Sequence, residues 1–201
     1  ATLGTQLIFD SIAQVYTNNI GTNIATAQYS GLLETIGRGS LFGFIPYKLV
    51  IVAVVYAVAI LVYRSTKLGT KIRAVGSNEA AARTCGINVD NVLIITYMIT
   101  SLGAALAAIL YTTTMGSAAP NAGKGMECDA ITAVVLGGTS LSGGRANMIG
   151  ALIGAILVQF VKMGLNMVNA SEAMKVIVTG AVLLLALTID GIKHMTQKEA
   201  K

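Results

Sequence analysis

Residues 47–63 read YKLVIVAVVYAVAILVY, an uninterrupted apolar run in which Val, Ile and Ala dominate. The run approaches the roughly 20 residues that a helix needs to cross a bilayer, and Lys48 sits where its ammonium can snorkel to one edge. Similar runs follow at 92–113, at about 146–168 and at about 173–190. The first residues, 1–19, are long enough to span but carry Gln6, Asp10 and Gln14. Continuous rather than alternating apolarity points to helices and away from a β-barrel.

Composition agrees. Hydrophobic residues make up 54% of the 201 residues and charged residues 11%, against about 25% charge in an ordinary soluble domain. Mean hydropathy is +0.72. The expected fold is all-α: a polytopic helical membrane protein with about five full spans plus one broken, glycine-interrupted helix. It is expected to form a single transmembrane domain over 1–201. The chain begins Ala-Thr-Leu-Gly without Met or a signal-type segment, and is expected to be the later part of something longer.

Basic residues orient the spans, because Lys and Arg favour cytoplasmic loops. Residues 64–91 hold Arg64, Lys67, Lys71, Arg73 and Arg83. With that loop inside, alternation also puts Arg145 and the tail with Lys193, Lys198 and Lys201 inside. Nine of the 14 basic residues and four acidic residues then share the cytoplasmic side, a surplus of five, and the remaining charges cancel.

The 64–91 segment is far longer than a connection requires. Ser77 or Asn78 can cap a short helix through EAAARTC, residues 79–85, with Gly86 as its stop. Glu79 and Arg83 suit the helix dipole and form an i, i+4 pair. The segment reads either as an ordinary surface helix or as a docking helix that receives force from a cytoplasmic partner.

A second signal is a break. In AVVLGGTSLSGGRANMIGALIGAIL, residues 133–157, the apolar run stops at Leu136, and Gly137, Gly138, Thr139, Ser140, Ser142, Gly143, Gly144 and Arg145 intervene. About 129–137 reads as a short helix. Broken backbone at membrane depth must be buried in protein or line a water-filled cavity, and transporters use such breaks near a substrate path. Exposed amides with Thr139, Ser140 and Ser142 hydroxyls suit a neutral polyol. The competing reading is a plain cytoplasmic turn between two helices. Gly137 and Gly138 would permit either a sharp bend or a close helix approach.

Small residues recur at i, i+4 as Gly150/Gly154, Gly103/Ala107 and Ala104/Ala108, a spacing that lets helices pack closely in lipid. The readings are packing within the chain or an interface with a second copy. Gln6, Asp10 and Gln14 share one helix face and are candidates to line a path, since an ionisable group at membrane depth is expensive. Gln159, Lys162 and Asn166 form a second stripe, read as an outer-mouth lining or as simple snorkelling.

Several chemistries are not called for. The glycine-rich break lacks the Gly-Lys-Ser/Thr ending of a nucleotide loop. Cys85 and Cys128 have no metal or disulfide spacing, and His194 lies in a polar tail. No Ser/His/Asp set or paired carboxylates occur within a span. The chain is expected to be no enzyme itself, to hold no metal or cofactor and to bind no nucleic acid.

The blocks IRAVGSNEAAARTCGINV (72–89) and PNAGKGMECDAITAVVLGGTSLSGGRANMIGALIGAIL (120–157), with the closing apolar helix, resemble the permease subunits of bacterial sugar importers of the ATP-binding-cassette class, the ribose, galactose and xylose type. The resemblance runs through the whole chain and corresponds to the later two-thirds of such a permease. It implies a multi-pass protein of the bacterial inner membrane whose partners are cytoplasmic ATPase subunits, a second permease copy and an extracytoplasmic sugar-binding protein. It implies that the cytoplasmic loop 64–91 docks the ATPase through Asn78, Glu79, Ala80, Arg83 and Gly86, while the polar stripe and the break leave Gln6, Asp10, Gln14, Gly137, Gly138, Thr139 and Ser140 as the substrate-path candidates. In the broader importer pattern the Gly lies six residues after the Glu. Here six residues before Gly86 is Ala80, and Glu79 is one residue early. Permeases for nucleosides, autoinducer furanoses or branched-chain amino acids are the near alternatives. A secondary transporter would need no docking helix, and a membrane scaffold would need no polar stripes.

Overall fold

The computed structural model describes residues 2–23, 31, 35–37, 39–41, 43, 45–141 and 143–199. Their helices are α1 (Thr2–Tyr16), α2 (Tyr47–Ser65), α3 (Lys67–Ser77), α4 (Glu79–Thr84), α5 (Val89–Met115), α6 (Met126–Leu136), α7 (Met148–Met167) and α8 (Glu172–Glu199). Four two-residue strands, β1 (Thr22–Asn23), β2 (Ser40–Leu41), β3 (Ile45–Pro46) and β4 (Ser117–Ala118), serve as ties between elements. Three helices, α2, α5 and α7, are long and apolar enough to cross a membrane among the described residues. Residues 173–190 fall inside α8, which continues to Glu199.

The chain divides into two compact units. The first comprises Ala1–Ser65 and Leu93–Lys124. In it β1 pairs antiparallel with β4, Thr22 opposite Ala118 and Asn23 opposite Ser117. That ribbon ties the chain after α1 to the chain after α5, and Asn121 donates a hydrogen bond to Asn19 at 3.0 Å beside it. β2 pairs with β3 just ahead of α2. α1 ends in a left-handed turn in which Asn18 and Asn19 have positive φ. There the Asn18 and Asn19 amides bond back to Val15 and Gln14, a Schellman end built on asparagine.

The large apolar side chains of this unit point outward. On α1, Leu7, Phe9 and Val15 are 68%, 71% and 78% exposed, and no residue of α2 is buried. Water would penalise that surface, whereas lipid or further protein welcomes it.

The second unit comprises Thr66–Val92 and Gly125–Lys201. Its buried residues are small: Gly69, Ala82, Val89, Val92, Thr132, Ala133, Val135, Gly154, Val158, Thr179 and Ala186. α6, α7 and α8 meet here around a cavity of about 20 Å³ lined by Thr132, Leu136, Val158, Val161, Thr179 and Val182. The buried Thr132 and Thr179 hydroxyls donate to the carbonyls of Cys128 and Lys175, one turn back. Both hydroxyls are thereby satisfied without a partner across the cavity.

Five of the six helix starts in this unit follow one chemistry. Thr66, Asn78, Asn88, Asn147 and Ser171 each accept, through a side-chain oxygen, the amide proton of the residue three further on. Each bond satisfies one otherwise orphaned amide. α6 starts differently, on Gly125 at φ +87° with no side-chain cap. Glu127 and Asp129 in its first turn complement the positive end instead.

Two expectations are corrected, and two readings are narrowed. The segment 64–91 is almost wholly helical: α3 begins at Lys67, one residue after α2 ends, because Thr66 caps it. Of the two candidate caps for the short helix, Asn78 serves, while the Ser77 hydroxyl donates to the Arg73 carbonyl. The short helix before the break runs Met126–Leu136 rather than 129–137, since Gly125 provides the left-handed entry and Gly137 is already its cap. Lys162, read as snorkelling or as lining an outer mouth, is part-buried and ion-paired with Asp129 of α6.

Candidate functional site

Two places in the second unit combine special backbone with polar side chains. The first is the corner between α3 and α4. Asn78 alone forms it, with φ −160° and ψ 107°. Its amide donates to the Ala74 carbonyl to close α3, and its side chain accepts from Ala81 at 3.0 Å to open α4. One extended residue thus ends one helix and starts the next.

α4 is six residues long and stops on a Schellman end. The Gly86 amide donates to Arg83 and the Ile87 amide to Ala82, with Gly86 at φ +77°. A β-carbon there would meet open space, so the glycine is required for its backbone sign alone. Glu79 is the first helical residue and Gly86 follows the cap, so their separation equals the helix length plus cap. Ala80 lies exposed in the first turn.

Arg83 Nη2 donates to Glu79 Oε1 and to Asp90 Oδ1, both at 3.0 Å. The hydrogen bond to Glu79, then that to Asp90, raises the Arg83 pKa above its already high ordinary value, so the guanidinium stays charged at any physiological pH. All three side chains are half or more exposed. Exposed ion pairs of this kind add little to stability. Their importance is geometric: Arg83 fastens α4 to the first turn of α5 and leaves the cluster open to a partner.

The second place is the glycine turn between α6 and α7. Gly138, at φ +82°, follows the Gly137 cap, and the Gly138 and Thr139 amides donate to Val135 and Val134. This is a further Schellman end. The Ser140 amide donates to the Arg145 carbonyl, and the Asn147 amide donates to Thr139 Oγ1 at 3.2 Å. The turn is thus closed on itself by one backbone bond and one bond to a side-chain hydroxyl. Ser142 lies outside the described residues.

Past the turn the two helices run antiparallel in near-backbone contact. A β-carbon on Gly150 would fall on the Gly137 carbonyl oxygen, and one on Gly154 would fall on the Ala133 carbonyl oxygen. A β-carbon on Gly137 would strike the backbone of Gly150 and Ala151. The small-residue spacing on α7 therefore packs against α6 within the chain. Farther along, Asp129 and Lys162 join the same two helices.

Gly138 differs from its neighbour, with nothing within 4 Å of the position where a β-carbon would stand. The requirement at Gly137 is space, whereas at Gly138 it is backbone conformation. Gly143 and Gly144, at φ +86° and +77°, lie against Gly76 and Ser77 at the end of α3.

The structure therefore gathers Asn78, Glu79, Ala80, Arg83 and Gly86 at one corner, and Gly137, Gly138, Thr139 and Ser140 in one turn. Gln6, Asp10 and Gln14 belong to the other unit, on α1, where Asp10 comes within 3.8 Å of Lys124. Sequence reading missed Asp90, which joins the corner only because α4 stops and the chain reverses into α5. It also missed Asp129 as the partner of Lys162.

Residues 1–187 match the family described as branched-chain amino acid transport system, permease component. The chain belongs to that family. It is 41% identical over 194 residues to the ribose import permease protein RbsC of Escherichia coli strain K12, covering 96% of this chain and 60% of that protein. It is 31% identical over 202 residues to the galactose/methyl galactoside import permease protein MglC of Haemophilus influenzae, covering 98% and 60%. Against the xylose transport system permease protein XylH of Haemophilus influenzae it is 34% identical over 146 residues, 73% of this chain and 39% of that protein. The chain thus spans 60% or less of these relatives' lengths. No solved structure matches it. Family membership and the three long apolar helices together make this a multi-pass helical membrane protein.

Proposed function

We propose that the chain is part of the membrane-spanning permease subunit of an ATP-driven importer, and that the subunit forms the path of a monosaccharide, ribose-like in size, across the bacterial inner membrane. The observation that carries this reading is the 41% identity to a ribose import permease over 194 residues. Those residues include the capped α4 corner and the glycine turn.

In this reading the chain forms one transmembrane domain with about five full spans. α1, α2, α5, α7 and α8 are the full spans, and α6 is the broken one: its 11 residues rise about 16 Å, half of a hydrocarbon core of about 30 Å, and the chain ahead of it completes the return to the cytoplasmic side. Residues 64–91 and the C-terminus face the cytoplasm, in line with the basic surplus there. Asn78, Glu79, Ala80, Arg83 and Gly86 form the surface that docks a separate ATPase subunit. A second permease copy completes the path, and an extracytoplasmic sugar-binding protein delivers the substrate. Gln6, Asp10 and Gln14 line the path on α1. Gly137, Gly138, Thr139 and Ser140 approach it through their backbone, and the Thr139 hydroxyl, which accepts the Asn147 amide, keeps its proton to donate.

A second reading, import of a branched-chain amino acid, draws on the family's description. Uptake by proteoliposomes separates the two. The full-length permease with its ATPase and binding protein should accumulate labelled ribose only with ATP inside the compartment that holds the ATPase. ATP-driven uptake of labelled leucine without ribose uptake would overturn the sugar reading in favour of the second.

A further inference from the structure

The end of α3 and the glycine turn touch through backbone. A β-carbon on Gly143 would fall on the Gly76 carbonyl oxygen, and one on Gly144 would lie 2.6 Å from Ser77 Oγ and 3.1 Å from Ser77 Cα. In the other direction, a β-carbon on Gly76 would lie 3.1 Å from the Gly144 nitrogen. Three glycines in the turn, Gly138, Gly143 and Gly144, hold positive φ, a conformation that side chains with a β-carbon resist. The contact is therefore rigid on both sides and has no long side chain in it to absorb movement.

Its position matters. Gly76 and Ser77 immediately precede Asn78, the single residue that turns α3 into α4. Gly143 and Gly144 belong to the turn whose two arms are locked by the Gly137/Gly150 and Ala133/Gly154 contacts and by the Asp129–Lys162 pair. A displacement of the α3–α4 corner thus meets the α6–α7 hairpin directly, and the hairpin is built to move as one piece. Packed elements of this kind shift between discrete arrangements rather than deforming smoothly.

We infer that the seam of Gly76 and Ser77 against Gly143 and Gly144 is the joint through which motion at α4 is passed to the α6–α7 hairpin. The inference rests on the reading of α4 as the ATPase-facing helix. Gly76, Gly143 and Gly144 act as positioning residues: they touch neither ATP nor substrate, and they fix what the corner pushes on.

The test uses the full-length permease in complex with its ATPase in nanodiscs, with Cys85 and Cys128 replaced by Ser and a reporter cysteine at Leu152 on α7. Gly76→Ala and Gly76→Val place a growing wedge in the seam at a position whose helical backbone accepts either residue. Gly164→Ala, on α7 with nothing within 4 Å, is the control. With Gly76 present, adding ATP should change the thiol reactivity of the reporter severalfold. Gly76→Ala should reduce that change and Gly76→Val should abolish it, while ATPase co-purification and the control remain normal. An ATP-dependent reporter change that persists in Gly76→Val, or that is absent with Gly76 in place, overturns the joint. So does loss of ATPase binding in Gly76→Ala, which would make the seam part of the docking surface. The combined Glu79→Arg and Arg83→Glu exchange tests the underlying reading separately. If ATPase binding and stimulation are unaffected by it, α4 is not the docking helix, whatever the Gly76 series gives.

Discussion

α7 and α5 carry the same spacing of small residues and meet different surroundings. On α7, Gly150 and Gly154 take the carbonyls of α6 where a side chain would otherwise begin. On α5, Gly103 has nothing within 4 Å, and Ala104, Ala107 and Ala108 are all exposed. Spacing declares that a helix tolerates close approach but does not name the helix that approaches. For α7 the neighbour is dictated by the chain, because a turn of 11 residues, 137–147, folds α6 straight back onto it. α5 has no such local partner among the described residues, and its bare face is matched in character by the exposed apolar side chains of α1 and α2.

The comparison breaks most visibly at Gly150 and Gly154. Valine at either position would force α6 off α7, and overpacking of this kind costs about 3 kcal/mol. Gly103→Val should leave the fold of the chain intact. Thermal inactivation of the detergent-solubilised full-length permease reads both. A drop of several degrees for Gly103→Val equal to that for Gly154→Val would mean that α5 is as tightly packed as α7, and the contrast would fail. Gly137→Ala should fall just below the Gly150 and Gly154 variants, at about 2 kcal/mol, because its β-carbon meets the Gly150 and Ala151 backbone rather than a side chain able to move.

Much of this was legible in the sequence for a physical reason. A bilayer admits few backbone structures, so continuous apolar runs and capping residues mark helices almost without competition. Residues 47–63 and 92–113 lie within α2 and α5, and EAAART became α4 with Asn78 and Gly86 at its ends. α3 was not legible, because its residues KLGTKIRAVGS are polar enough to pass for a loop and only the Thr66 cap betrays it. Nor was the difference between Gly137 and Gly138. Adjacent glycines look alike in a sequence, and only the path of the backbone tells which needs space and which needs conformation.

The Asp129–Lys162 pair offers a milder test of how the hairpin is held. Both side chains are about three-quarters buried, so removing one partner strands the other in a poorly solvated place. Lys162→Met alone should lower stability by about 1–2 kcal/mol, and so should Asp129→Leu. The double replacement should recover much of the loss, because an apolar pair of similar size leaves no stranded charge. Additive losses in the double variant would mean that the two residues act separately and that the hairpin is held by its glycine contacts alone.

The smallest effects belong to Gly138, and they separate the two meanings of glycine within one turn. Its β-carbon would stand in open space, so size should matter little in itself. Its φ of +82° is what other residues resist, at about 1–2 kcal/mol for an ordinary side chain. Asparagine tolerates that region, as Asn169 at φ +54° does after α7 in this same chain. Gly138→Asn should therefore cost only a few tenths of a kcal/mol, Gly138→Ala about 1 kcal/mol, and Gly138→Val the most because branching at the β-carbon adds to the strain. Gly137→Asn should be as damaging as Gly137→Ala or worse, since backbone tolerance does nothing for a β-carbon driven into α7. Melting temperatures for the two series would decide it. If Gly138→Asn proved as harmful as Gly137→Ala, open space at Gly138 would not survive in the assembled permease, and a neighbour from outside these residues would have to occupy it.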